Sequence, residues 1–111
     1  MRNEELNIQS SIIQYLRYKG IKVFSIPNGA NFPNHYTRYL MSCSGLTSGV
    51  ADLEVLLPNG KAIFLEVKTE KGRQSKTQKE FEEEVKKLGF DYYIVRSIDD
   101  VIKLGLKQLN I

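Results

Sequence analysis

Gly49-Val-Ala-Asp52-Leu-Glu-Val-Leu-Leu-Pro58-Asn-Gly60-Lys-Ala-Ile-Phe-Leu-Glu66-Val-Lys68 reads as a β-hairpin. Pro58 supplies the fixed φ of a type I turn, and Gly60 falls where a left-handed residue closes a three-residue loop with a bulge. Leu57 then faces Lys61, and counting back along both strands sets Asp52 opposite Glu66. Opposed side chains share a face, with Cβ atoms about 4.5–5.5 Å apart. Lys68, two residues beyond Glu66, shares it too. Leu53, Val55, Leu57, Ile63, Leu65 and Val67 fall on the other face, which is wholly apolar. A two-residue Asn59-Gly60 loop would instead pair Leu53 with Glu66 and split the acids between faces. The three-residue loop is favoured because it suits Pro58 and keeps the apolar residues together.

Two carboxylates brought together repel unless a cation lies between them. An all-oxygen pair suits Mg2+ or Mn2+, which bind through one or two carboxylates, waters and phosphate oxygens. The plain alternative is a solvated strand face. The apolar reverse face and the glycine-rich approach to Asp52 weigh against it.

Asp52, thirteen intervening residues, then Glu66-Val67-Lys68, resembles the D…(D/E)xK signature of the PD-(D/E)xK nuclease superfamily. Gly45-Leu-Thr-Ser-Gly49-Val-Ala-Asp52, Leu65-Glu-Val-Lys-Thr69, Ser75-Lys-Thr-Gln78 and Gly89-Phe-Asp-Tyr-Tyr-Ile-Val-Arg-Ser97 together are similar to the VRR-NUC branch, in its stand-alone, virus-type form. Glu-Val-Lys alone is a weak signal; the ordered set is specific and covers nearly the whole chain.

The chain of 111 residues suits one domain, 1–111, with a modest core. Charged residues make up 26% and hydrophobic ones 41%, as in a soluble globular protein. A net charge of +3 permits a polyanionic partner. Cys43 is the only cysteine, which excludes an intrachain disulfide and suits a reducing compartment, the cytoplasm of a bacterial host or virus-infected cell. The polar, acidic start does not read as a signal peptide, and no apolar run reaches the ~20 residues of a membrane span.

Residues 3–19 read as a helix, with Asn3 as cap, Glu4 and Glu5 in the first turn, an apolar stripe of Ile8, Ile12, Tyr15 and Leu16, and Gly20 as stop. Ile21 to Ile26 follows as a strand ended by Pro27. Residues 28–48 lack periodicity apart from a short helix admissible between Tyr36 and Met41; so long a polar stretch in a small domain is more often functional than idle. It carries Asn28, Gly29, Asn31 and His35, the last given no catalytic role. Arg38, Tyr36, Ser48 and the amides near Gly45 and Gly49 are candidate phosphate contacts. Those two glycines serve turn geometry, close approach of backbone to nucleic acid, or both.

Lys71, Arg73 and Lys76 are further phosphate candidates in and after a polar turn. Ser75 or Thr77 caps a helix to about Leu88, with Phe81, Val85 and Leu88 inward and Gly89 as stop. Asp91 to Val95 is a buried strand. A last helix starts at Ile98 or Asp99 and runs to about Leu109, packed by Val101, Ile102, Leu104, Leu106 and Leu109, its Asp99 and Asp100 explained by the helix N-terminus. The order α-β-β-β-α-β-α, with a parallel, right-handed βαβ unit, gives an α/β fold: a small mixed sheet flanked by helices. The resemblance implies the restriction-endonuclease-like (PD-(D/E)xK) core.

It also implies a Mg2+- or Mn2+-dependent endonuclease acting on DNA phosphodiesters. By it, Asp52, Glu66 and the Val67 carbonyl hold the metal, Glu5 (Glu4 as fallback) completes the site, Lys68 acts on the water or phosphate, and Gln78 borders the centre. Compact relatives are associated with branched DNA, including four-way (Holliday) junctions, and act as homodimers. The competing readings are a catalytically inactive nucleic-acid-binding module of the same fold, and a structural or inhibitory protein whose acids merely pair with Lys68, Arg73 or Arg96.

Overall fold

The computed structural model describes residues 2–27 and 34–107. Four strands, β1 (Lys22–Ser25), β2 (Leu53–Leu57), β3 (Lys61–Val67) and β4 (Asp91–Val95), form one sheet in that spatial order. β1–β2 and β2–β3 are antiparallel, and β3–β4 is parallel across its helical crossover. The helices are α1 (Arg2–Tyr18), α2 (His35–Cys43), α3 (Lys76–Lys87) and α4 (Ile98–Lys103). The sheet and its flanking helices are those expected, and the short helix admitted between Tyr36 and Met41 forms as α2, slightly longer at both ends. Asn28, Gly29 and Asn31 lie outside the described residues.

Leu57 pairs with Lys61 and Leu53 with Leu65, so the hairpin closes through three residues. Asn59 as well as Gly60 is left-handed, at φ 67° and 73°. Asparagine is among the few non-glycine residues that tolerate this conformation.

Alternation in the hairpin makes the main core. Leu53, Val55, Ile63, Leu65 and Val67 meet Ile12 and Leu16 of α1, Val95 of β4 and Val101 of α4. Full burial of such a side chain is worth about 1.5–3 kcal/mol. The opposite face is not simply charged. Phe64, Tyr92 and Ile94 pack with Ala51 under Phe81 and Val85 of α3. Phe64 meets Phe81 edge-on at 5.3 Å between centroids. The carboxylates therefore stand at the border of a second, smaller apolar layer.

Several details of the ends differ from expectation. α1 already includes Arg2, so Asn3 is within the helix rather than its cap. Leu88 is 74% exposed. It is the C-cap of α3, where the chain turns and the Phe90 N–H closes onto the Val85 carbonyl, leaving its side chain in solvent. α4 ends at Lys103, because Gly105 at φ 65° turns the chain; Ile102 is 46% exposed, and Leu109 lies outside the described residues. Among the described residues, no helix is long and apolar enough to cross a membrane.

Candidate active site

The site lies where β2 and β3 part. Along β3 the backbone N–H groups alternate sides. The Lys68 N–H bonds the Val95 carbonyl of β4 at 3.0 Å. The Val67 N–H points the other way and bonds Oδ2 of Asp52 at 2.7 Å. Asp52, just before β2, is still tied to β1, since its carbonyl accepts from the Ile26 N–H at 2.9 Å. Its carboxylate thus fills the fork between the strands. A residue's N–H and C=O point to the same side of a strand, so the Val67 carbonyl also faces the fork.

Glu66 is 1% exposed. Its Oε1 accepts from the Tyr92 hydroxyl at 3.2 Å and its Oε2 from Gln78 Nε2 at 2.9 Å. Lys68 Nζ lies 3.8 Å from Oε2, with both side chains shielded from solvent. Burial, then the nearby Asp52 carboxylate, push the Glu66 carboxyl up to about 8, against the pull of Lys68. Lys68 thus balances the acids only in part.

Glu5, half-buried on α1, has its carboxyl raised by burial and next by Asp52, while Lys68 lowers it. It therefore stands within electrostatic reach of the pair. Glu4 is exposed and borders Thr69, Glu70 and Lys71 instead. Of the two glutamates left open by the sequence, α1 turns Glu5 toward the fork.

Gln78 is positioned by a capping box. Ser75 Oγ accepts from the Gln78 N–H at 3.2 Å, and Gln78 Oε1 accepts from the Ser75 N–H at 2.8 Å. The amide Nε2 is left to reach Glu66, so Gln78 holds the carboxylate. The close approach at Gly49 is to this same turn. A Cβ there, at φ +84°, would lie 2.4 Å from the Thr77 carbonyl oxygen; at Gly45 it would meet nothing within 4 Å.

Arg96 does not pair with the acids. Its Nη1 lies 2.7 Å from the carbonyl oxygens of Thr69 and Gly72 and 3.2 Å from that of Glu70, clamping the turn after Lys68. Nothing in the sequence marks this role, because carbonyls 24 to 27 residues away leave no side-chain signal. Asp100 accepts from the Arg96 N–H at 2.8 Å, in keeping with its helix-terminal reading. Lys71, Arg73, Lys76, Ser48, Arg38 and Tyr36 are all exposed, the last two on α2, which buries no residue.

Among the described residues, no three carboxylate, imidazole or thiol side chains form a ready-made metal cage. Two converging carboxylates beside the Val67 carbonyl nonetheless fit a hard cation that keeps much of its water, as Mg2+ does.

A mixed four-stranded sheet with helices on both faces, and with Asp52, Glu66 and Lys68 at the strand fork, defines a PD-(D/E)xK-type nuclease fold. The family model for the VRR-NUC domain matches residues 22–99. The chain belongs to the VRR-NUC domain family, and with it to a nuclease class. One solved structure described as "VRR_NUC domain" is 25% identical, with a TM-score of 0.67 over 92% of this chain and 94% of the other. A second, "VRR_NUC domain protein", is 17% identical, with a TM-score of 0.73 over 96% and 92%, and speaks for the fold alone. No curated protein matches.

Proposed function

We propose that this chain is a divalent-metal-dependent endonuclease that hydrolyses DNA phosphodiesters, acts on branched DNA and works as a homodimer. The observation that supports it most is the fork itself: two carboxylates and one shielded ammonium drawn together at a strand border. In this reading Asp52, Glu66 and the Val67 carbonyl hold Mg2+ or Mn2+, with Glu5 nearby to bind directly or through water. When bound, such an ion polarises the scissile phosphate and acidifies a water.

The chain's own residues do the rest. Asp52 spends Oδ2 on the Val67 N–H, which keeps Oδ1 for a cation. Lys68 carries three donors and no acceptor, so it can hold a phosphate oxygen or orient a water as charge develops. Gln78 holds Glu66 in place. Lys71, Arg73 and Lys76 around the first turn of α3, and Tyr36 and Arg38 on α2, offer cations and aromatic faces to a phosphate backbone. Cutting two strands symmetrically calls for two sites related by a two-fold axis, which a single copy of this site supplies by pairing.

The test is cleavage of linear, flapped and four-way DNA with Mg2+, Mn2+ or EDTA, comparing wild type with Asp52→Asn and Lys68→Ala. Metal-dependent cutting, strongest on branched DNA and lost in both variants, is expected. Cutting that persists in EDTA or in Asp52→Asn would remove the mechanism. Binding without cutting would leave an inactive nucleic-acid-binding module.

A further inference from the structure

We propose that Gln74 and Tyr92 are positioning residues that fix the direction of the Glu66 carboxylate for metal binding, an inference that rests on the metal-site reading above. Gln74 stands in the turn between β3 and α3. Its Nε2 lies 2.9 Å from Glu82 Oε1 and 3.1 Å from the Tyr92 hydroxyl. An amide nitrogen has two hydrogens and accepts nothing. Turning the amide over would set its oxygen against the Glu82 carboxylate, two acceptors face to face, so only one orientation is satisfied. Gln74 therefore donates to both partners.

The consequence reaches Glu66. The Tyr92 hydroxyl accepts from Gln74, and its single proton is committed to Glu66 Oε1 at 3.2 Å. The relay runs one way, from Gln74 through Tyr92 to Glu66, and is anchored outside by the Glu82–Lys86 pair. Tyr92 is buried, its ring 6.2 Å from that of Phe81, so its position is set by packing. On the other oxygen, Gln78 is oriented with equal strictness by its bond from the Ser75 N–H. Two glutamines four residues apart thus hold the two edges of one carboxylate, one directly and one through a tyrosine. Each carboxylate oxygen has a second lone pair, left for a cation. Fixing a ligand's rotation in this way characteristically changes metal affinity or activity 10- to 100-fold.

The experiment measures Mn2+ affinity by electron paramagnetic resonance titration at pH 8.5, without DNA, for wild type, Tyr92→Phe, Gln74→Met and the double variant. Urea unfolding in EDTA is measured alongside. Tyr92→Phe keeps the packed ring and removes only the hydroxyl. Mn2+ affinity is expected to fall about 10-fold in Tyr92→Phe, less in Gln74→Met, and no further in the double variant than in Tyr92→Phe. Should Tyr92→Phe not fold, a measurable loss of affinity in Gln74→Met supports the relay, and affinity within twofold of wild type overturns it. Lowered stability with unchanged Mn2+ affinity in Tyr92→Phe would mean packing alone and overturn the relay, as would strictly additive losses. A wild type that binds no Mn2+ would overturn the metal-site reading and the relay with it; equal binding by wild type and Tyr92→Phe overturns only the relay.

Discussion

Replacing Glu66 by glutamine should stabilise the metal-free protein at alkaline pH. In the fold, the Glu66 carboxyl is raised from 4.5 to about 8, first by burial and then by Asp52. A raised acid binds its proton more tightly folded than unfolded, so stability falls as pH rises. The effect begins near 4.5, where the unfolded chain ionises, and is complete once pH passes about 8. At about 1.4 kcal/mol per tenfold in proton affinity, the full handicap is on the order of 5 kcal/mol, comparable with the whole stability of a small domain. Glutamine keeps the shape and never ionises. The assay is urea unfolding in EDTA at intervals from pH 5 to pH 9, taken as the difference between Glu66→Gln and wild type, so that titrating groups remote from Glu66 cancel. The variant's amide nitrogen must face the Tyr92 hydroxyl or Gln78 Nε2, a pH-independent cost of about 1–3 kcal/mol, so the variant should trail at pH 5 and gain several kcal/mol on wild type by pH 9. A difference that does not change with pH would refute the argument that burial and Asp52 burden this carboxylate.

Four other outcomes follow from the same geometry. Metal binding must expel the Glu66 proton, so calorimetric Mg2+ affinity should rise up to tenfold per pH unit until about 8 and level off above it. Gly49→Ala drives a Cβ into the Thr77 carbonyl and should cost about 1–3 kcal/mol or more in thermal unfolding, whereas Gly45→Ala, with open space around it, should cost only about 1–2 kcal/mol for its positive φ. Arg96→Met removes the Nη1 donor that meets three carbonyls and should expose the turn at residues 69–72 to proteolysis and amide exchange. Asp52→Asn keeps an oxygen for the Val67 N–H and should stay folded without binding Mg2+, whereas Asp52→Ala also strands that N–H at about 1–3 kcal/mol in denaturant unfolding.

Local chemistry made the hairpin legible. Pro58 and Gly60 fixed the loop length, and alternation from Leu53 to Val67 fixed which side was buried, so the neighbourhood of Asp52 and Glu66 followed from counting. The start of α3 was legible to within Ser75 or Thr77 for the same reason, since a cap is written beside its helix; the capping box with Gln78 that selects Ser75 came from the structure. What stayed hidden depends on contacts between distant parts of the chain. Gln74 reads as a polar turn residue and Tyr92 as a strand aromatic until α3 and β4 bring both beside Glu66. Arg96 acts on carbonyls, which every residue has. Leu88 has an inward helical period, but a period does not say where the capping turn carries the last side chain.

The position of the site follows from a change of partner within one strand. Up to Leu65, β3 pairs with β2 on one side and β4 on the other. Beyond that residue β4 continues and β2 does not, so the β2-facing N–H of Val67 must find another acceptor or stay buried and unpaired. Asp52 is the residue just before β2, and a short carboxylate there can turn across the gap. The same bond that closes the ladder therefore brings one acid to the gap, while Glu66 of β3 supplies the second acid and Lys68, just past the end of β3, the lysine. A helix or a regular sheet interior offers no such opening, because its backbone groups are already paired. The mutual repulsion that burdens Glu66 is then a consequence of building the site where the sheet divides, and a divalent ion bound as proposed would relieve it.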